Sequence, residues 1–341
     1  MDAFRPEVPS PAAFDPGTQV WTLSRYADVS AALREPALLQ ASSKFEPIPG
    51  EPEARHNELF AAVQADLARM TSPEWRTEME QSLTALLASH RGQSVELLRD
   101  ILHPWTAGLM LHLSGAAGET AKELSRLSNA LLLGAVPDPH IAALPDAERT
   151  RWKEQAKLQQ KDDDVALDHL LAERAILSKP MFAGLTQTLT SFLAKAWVAL
   201  IQNPAQRDLL AMQPEISAAA TEELLRYAGT VVLLYRKAAA DVRIGEIEIA
   251  EGQSVLLRVG SANFDPEKFE QPEQLDLMRR STGHLGFGAG LHGCVGSFLV
   301  RLAGTTVFPM LAAAEVSLLD EEVIWHAQSS LHWPVYVRAQ M

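Results

Sequence analysis

Phe287-Gly288-Ala289-Gly290-Leu291-His292-Gly293-Cys294-Val295-Gly296 holds the single cysteine of a 341-residue chain. One thiol excludes a disulfide within the chain and any multi-cysteine zinc or iron–sulfur site. Metal binding requires the thiolate, and an unperturbed thiol has a pKa of roughly 8.5. A bound metal itself stabilises the thiolate. A helix expected from about Val295 to Ala314 aims its positive end at the sulfur. Gly288, Gly290 and Gly293 allow backbone N–H groups to turn inward and hydrogen-bond it. Gly296 lets that helix approach a flat cofactor closely. A single protein thiolate leaves the remaining coordination positions to another donor set, as a porphyrin supplies. The alternative is a cysteine simply buried near a turn, the usual fate of a free one.

Composition narrows the partners. The hydrophobic fraction of 47% and charged fraction of 21% are those of an ordinary globular chain. A net charge of −13 with no basic tract argues against nucleic acid. No apolar run reaches the length of a membrane span. The first residues carry Asp2, Arg5 and Glu7 among Pro6, Pro9, Pro11 and Pro16, which suits neither a signal peptide nor an anchor. With one cysteine, these features point to a reducing cytoplasm.

Working outward, Val20-Trp21-Thr22-Leu23 reads as a strand and Arg25 to Leu33 as a helix opening after Ser24. Apolar spacing predicts helices over roughly 53–70, 72–90, 93–114, 118–134, 145–160, 163–177, 178–202 and 214–228. Short strands are expected at 231–234, 242–244, 248–249 and 254–257, followed by a loop-rich stretch from Asn263 to Gly290. The tail, 315–319 and 333–337, reads as closing strands. A helix-rich body with small sheets makes the fold class mainly α (α+β) rather than a βαβ alternation. No linker divides the chain, so residues 1–341 are expected to form one domain with a proline-rich N-terminal arm over 1–17.

The cysteine stretch, read as Phe-Gly-x-Gly-x-His-x-Cys-x-Gly, resembles the cysteine-ligand loop of the cytochrome P450 family. From about Trp21 onward, the order of elements is similar to that of soluble bacterial members. The resemblance implies that Cys294 ligates the iron of haem b (iron protoporphyrin IX), with Phe287, Gly288 and Gly296 shaping the loop against it. Glu223-Leu224-Leu225-Arg226 resembles the family's Glu-x-x-Arg, a structural brace whose residues share one helix face. Arg236 and His292 match propionate partners, and a guanidinium fork suits a buried carboxylate. His284 matches a histidine commonly found before the cysteine loop, and the resemblance places it and His56 among the residues that contact the cofactor. Asn263-Phe264-Asp265-Pro266 and Leu275-Asp276 resemble the family's meander.

Four departures from the family pattern stand out. The chain is short, with the shortening at the N-terminus, over 118–160 and in the leading half of the central helix. Ala183-Gly184-Leu185-Thr186-Gln187-Thr188 lies where the family has Ala-Gly-x-acid-Thr, so Thr186 takes the acid's place and Gln187 the alcohol's. Neither is a carboxylic acid, and a one-residue helix shift would bring Thr188 into the alcohol role. The family's His-x-x-x-Arg becomes His56-Asn57-Glu58-Leu59-Phe60, which keeps His56 and loses the arginine. The family's Pro-x-Arg becomes Pro272-Glu273-Gln274, leaving Arg279 or Arg280 to compensate.

The resemblance implies a haem-thiolate monooxygenase acting on a small or medium organic substrate in bacterial specialised metabolism. It further implies dioxygen as oxidant and a ferredoxin or flavodoxin with its reductase as electron donor. Thr186, Gln187 and Thr188 are the catalytic candidates, and Gly184, Leu185, Val231 and Val232 line the expected substrate pocket. Loss of the acid–alcohol pair raises an alternative: peroxide-driven oxidation, oxidative coupling or a rearrangement. A non-catalytic accessory protein is the third reading, and the intact cysteine loop argues against it.

Overall fold

The computed structural model describes residues 6–48, 60–61, 63–65, 67–68, 71–133, 146–171, 179–280, 283–319, 323–327 and 330–341. The chain starts with β1 (Ala13–Asp15), β2 (Val20–Leu23), α1 (Tyr26–Ala32) and β3 (Leu38–Ala41). Helix α2 (Pro73–Ser89) and strand β4 (Ser94–Glu96) come next, then a π-helical turn, Leu97–Leu102, that runs into α3 (His103–Ser114). Beyond it lie α4 (Gly118–Leu133), α5 (Asp146–Leu171), α6 (Lys179–Ala183), a π-helical segment Gly184–Thr188, and α7 (Leu189–Gln202). After these lie α8 (Pro204–Met212), α9 (Ser217–Tyr227), β5 (Leu234–Ala238), β6 (Val242–Ile244), β7 (Ile247–Ile249) and β8 (Ser254–Leu257). The chain closes with α10 (Val259–Ala262), α11 (Ser297–Ala313), β9 (Ser317–Leu318), β10 (Ile324–Ala327), β11 (His332–Tyr336) and β12 (Arg338–Gln340). The fold is mainly α with small sheets. Among the described residues no helix is long and apolar enough to cross a membrane.

The chain divides into two compact units. The first comprises Met1–Gln64, Lys195–Ala313 and Ala327–Trp333. Its five-stranded sheet has the order β1-β2-β8-β5-β3. Strands β2 and β8 run parallel, and the other pairs are antiparallel. Leu23, Leu38, Ala238, Val255 and Leu257 project from this sheet into one apolar core with Val29, Leu33 and Val259. On β5 the buried positions are Arg236 and Ala238, two residues apart as strand alternation requires. Helices α9 and α11 cross closely in the same unit. A Cβ at Gly304 would stand 2.5 Å from Thr221 Cγ2, so only glycine allows that approach.

The second unit comprises Ala65–Ala194, Ala314–His326 and Pro334–Met341. Ser72 caps α2 by accepting from Trp75 N (3.3 Å), and Pro73 takes the first helical position. Trp75, Met79 and Leu83 recur every four residues and form the buried face of α2. In place of the helix expected from 93, Ser94–Glu96 pair with β12 at the far end of the chain. The buried Glu96 carboxylate then accepts from Arg99 N (2.7 Å) and Val337 N (2.9 Å), fixing where the π-helical turn starts. Residues 146–160 and 163–171, expected to belong to two helices over 145–160 and 163–177, instead share the single helix α5, which the acidic run Asp162–Asp164 does not interrupt; 145 and 172–177 lie outside the described residues.

Candidate functional site

Backbone geometry builds the cysteine loop. Gly288 N donates to Leu285 O (2.9 Å), and Gly293 N donates to Gly290 O (3.1 Å) across a 3-10 turn. Cys294 N donates to Phe287 O (2.9 Å), closing the loop on its first residue. Gly290 has φ +72°, and a Cβ there would lie 2.8 Å from Leu33 O and 2.9 Å from Arg34 Cα. Both strain and space therefore restrict this position to glycine. Helix α11 begins at Ser297, two residues later than the sequence pattern suggests. Its first amides do the work expected of the loop glycines, because the N–H groups of Gly296 and Ser297 favour the thiolate.

The Cys294 side chain reaches solvent, yet the protein packed around it pushes the thiol up from its ordinary value. The Gly296 amide, the Arg301 charge and the Ser297 amide pull the other way without overcoming it. The free thiol therefore keeps its proton near neutral pH, and a metal must displace that proton. Among the described residues no three His, Cys, Asp or Glu side chains cluster as metal ligands. A lone thiol of this kind fits a group that carries its own equatorial donors.

The Glu-x-x-Arg pair on α9 is fully buried, with both side chains at 0% exposure. All five N–H groups of the Arg226 fork are used. Two bond the Glu223 carboxylate (2.8 and 2.8 Å), and the others reach the carbonyls of Asn263 (2.9 Å), Pro272 (2.8 Å) and Gln274 (3.3 Å). Glu223 also accepts from Arg279 Nε (3.0 Å) and Asp276 N (3.2 Å). Arg279 is thus the cation that completes the network in place of the missing Pro-x-Arg arginine. The Asn263 side chain accepts from Leu285 N (2.7 Å), tying the meander to the start of the cysteine loop.

His284, expected as a cofactor contact, has both ring nitrogens engaged by protein. Its Nδ1 accepts from Gly286 N (3.1 Å), which leaves Nε2 protonated and 3.1 Å from Glu222 Oε2. It is therefore a brace between loop and helix, with no ring nitrogen left for a propionate. Glu222 and its second partner Arg301 are not marked by the sequence. Both are polar residues at helical positions with nothing local to distinguish them.

Arg236 has a different environment. It is buried, and among the described residues its hydrogen bond runs from an NH1 to Tyr235 O (2.9 Å). Burial pushes the guanidinium down to about 10. A buried cation without a carboxylate is costly, and a carboxylate carried in by a ligand offsets that cost. His292 sits in the 3-10 turn two residues before Cys294. His56 lies outside the described residues.

In the second unit, the segment Gly184–Thr188 is π-helical, and Leu189 N bonds Gly184 O in the i→i+5 pattern. A π-turn inserts one residue and rotates the downstream helix by roughly 100°. The register of the helix therefore changes across Gly184–Thr188. Thr186 is fully buried, and its hydroxyl donates to Phe182 O (2.8 Å), so its proton is committed to its own helix. Thr190 Oγ1 donates to Thr186 O (2.8 Å) and meets Thr106 Oγ1 of α3 at 2.7 Å, tying the π-helical segment to α3. Gln187 and Thr188 remain half-buried, whereas Leu185 is core. In the first unit Val231 forms an isolated bridge to Leu331 and Val232 N donates to Ser330 O (3.0 Å), so the strand expected from 231 begins only at Leu234.

Sequence reasoning also passes over Lys195, a lone lysine in the apolar run from Leu193 to Val198. Its ammonium donates to Gly229 O (3.1 Å), and burial pushes it down to about 7.

A family model described as Cytochrome P450 matches residues 185–312, the span that holds the Glu-x-x-Arg helix and the cysteine loop. The chain belongs to the cytochrome P450 family. This P450 is 27% identical to "Vitamin D(3) 25-hydroxylase" of Pseudonocardia autotrophica, over 94% of this chain and 88% of that protein. It is 28% identical to "Cytochrome P450 107B1" of Saccharopolyspora erythraea, over 84% and 79% respectively. Solved structures share the fold. CYP109B1 from Bacillus subtilis superposes with a TM-score of 0.74 at 22% identity, covering 97% of this chain and 96% of that one. CYP164A2 of Mycobacterium smegmatis gives 0.75 at 23% identity, covering 97% and 93%. Like its family, this P450 is an oxidoreductase, and haem is the family's cofactor.

Proposed function

We propose that this P450 is a monooxygenase that holds haem b through Cys294 and oxidises a small or medium organic substrate. When bound, haem supplies the redox-active iron at which dioxygen is activated. The observation that carries the reading is the buried guanidinium of Arg236, a cation with no carboxylate partner among the described residues, in a unit that also carries the cysteine loop. Arg236 and His292 would receive the propionates. The amides of Gly296 and Ser297 would hold charge on the Cys294 sulfur. Gln187 and Thr188 are the polar groups left to hold water and pass protons, since the Thr186 hydroxyl is taken. A ferredoxin or flavodoxin with its reductase supplies the electrons, and the setting is the cytoplasm. Relatives named for polyketide biosynthesis and for vitamin D(3) 25-hydroxylation support a place in specialised metabolism or in hydroxylation of a hydrocarbon skeleton.

A specific observation favours a second reading, in which peroxide-driven oxidation, coupling or rearrangement replaces monooxygenation. No residue of Gly184–Thr188 is acidic, and Thr186 cannot stand in for an acid. A relative 29% identical over 70% of this chain is named mycocyclosin synthase, from Mycobacterium tuberculosis. Turnover of a substrate found by spectral titration separates the two. Support by a ferredoxin–reductase pair and dioxygen establishes the monooxygenase reading. Turnover with hydrogen peroxide alone favours the second.

Arg236→Leu tests the cofactor site. The folded apoprotein is expected to stay at least as stable as wild type, because a buried charge is removed. Haem affinity is expected to fall by roughly 10- to 100-fold, the worth of one or two charge-assisted hydrogen bonds. Titrating haem into both apoproteins measures the ratio, and equal affinities would remove Arg236 from the site.

A further inference from the structure

Glu222 stands one residue before the buried Glu223 and makes none of that network's contacts. Its carboxylate accepts from His284 Nε2 (3.1 Å) and, in a bidentate grip, from Arg301 Nε (2.6 Å) and an Arg301 terminal nitrogen (3.2 Å). The two residues it holds both pack against one ring. The Arg301 guanidinium lies 4.7 Å over the Phe287 ring, and the His284 ring lies 5.5 Å from it. Phe287 O in turn accepts the Cys294 amide at 2.9 Å. One carboxylate on α9 thus fixes the start of the cysteine loop and the first turns of α11 together.

We propose that Glu222 is a positioning residue for the Cys294 thiolate, acting through His284 and Arg301 on Phe287. The proposal rests on the reading of Cys294 as haem ligand. The geometry gives Glu222 two effects. The carboxylate keeps Phe287, and so the Cys294 amide, in register. It also neutralises most of the Arg301 charge near the sulfur, a charge that would otherwise draw electron density from the ligand. Partial burial works against ionisation of Glu222, but the hydrogen bonds from His284 and Arg301 and the Arg301 charge outweigh it and hold the carboxyl down at about 2, so the neutralising charge is present at working pH.

The test compares haem-loaded wild type, Glu222→Gln, Glu222→Asp and Lys122→Gln, the last a control that breaks an exposed pair with Glu119 on α4. The readouts are the reduced carbon-monoxide spectrum, its rate of conversion to the short-wavelength form lacking thiolate, and the ferric–ferrous potential. Glu222→Gln is expected to convert several-fold faster and to shift the potential upward. Glu222→Asp should recover part of both effects, and Lys122→Gln should match wild type. Wild-type conversion rate and potential in Glu222→Gln would overturn the proposal. If that variant fails to fold, Arg301→Gln, which alters a half-exposed side chain, reads the same contact: conversion is again expected to be faster, while the potential, having lost the cation, is expected to shift downward. A wild-type protein without a thiolate band would instead sink the ligand reading beneath the proposal.

Discussion

Glu223→Gln is expected to lower the free energy of unfolding by roughly 3–5 kcal/mol, the cost of leaving one partner of a buried ion pair uncompensated, and Arg226→Lys by a comparable amount, at roughly 1–3 kcal/mol for each buried carbonyl left without a donor. The reason lies in the donor count. Glu223 receives Arg226 twice, Arg279 once and the Asp276 amide once. A neutral amide turns one of its ends into a donor and leaves two guanidinium groups without a counter-charge. Lysine at 226 offers three donors where five are used, so buried carbonyls of Asn263, Pro272 or Gln274 lose partners. Three aromatic rings, Tyr227, Phe264 and Phe269, also lie within about 6 Å of the Arg226 guanidinium, and lysine offers them no planar group to pack against. A whole protein is stable by only about 5–15 kcal/mol, so either change removes a large share. Urea titration should show an earlier midpoint at unchanged slope. A loss below about 1 kcal/mol, the level of an exposed pair, would mean that the network does not hold the fold.

Cys294→Ser is expected to abolish the thiolate signature of the ferric protein while leaving the fold intact. Serine keeps the size and the loop hydrogen bonds, because the amide of residue 294 still meets Phe287 O. Its hydroxyl does not ionise near neutral pH, so the flanking amides have no anion to hold. Ferric absorption and electron paramagnetic resonance of haem-loaded protein give the check. Retention of the thiolate pattern would exclude Cys294 as ligand.

The cysteine side is legible in the sequence because its constraints are local. Glycines, histidine and cysteine fall at fixed offsets, and the structure shows which offsets matter: Gly290 for close packing on Leu33 and Arg34, Gly296 and Ser297 for their amides. Arg279 is legible only as one of two candidates, since its meeting with Glu223 depends on how the meander folds back over 56 residues. Strand β4 is invisible because its partner lies at the other end of the chain. The π-helical segment is foreseen only as a shift in register. The residue that bonds its Thr186 carbonyl, Thr190, is held by Thr106, a partner 84 residues away. His284 is misassigned from sequence because a motif position does not say which neighbours will claim its nitrogens, and the Glu222 carboxylate is a tertiary partner. Local pattern thus fixes the cysteine loop, while long-range pairing fixes what braces it.

The carbon-monoxide difference spectrum of the reduced, haem-loaded wild-type protein tests the central claim most directly. A far-shifted Soret band, the mark of thiolate opposite carbon monoxide, is the predicted result. A band at the position given by imidazole- or water-ligated haem, or a folded protein that takes up no haem, would contradict it.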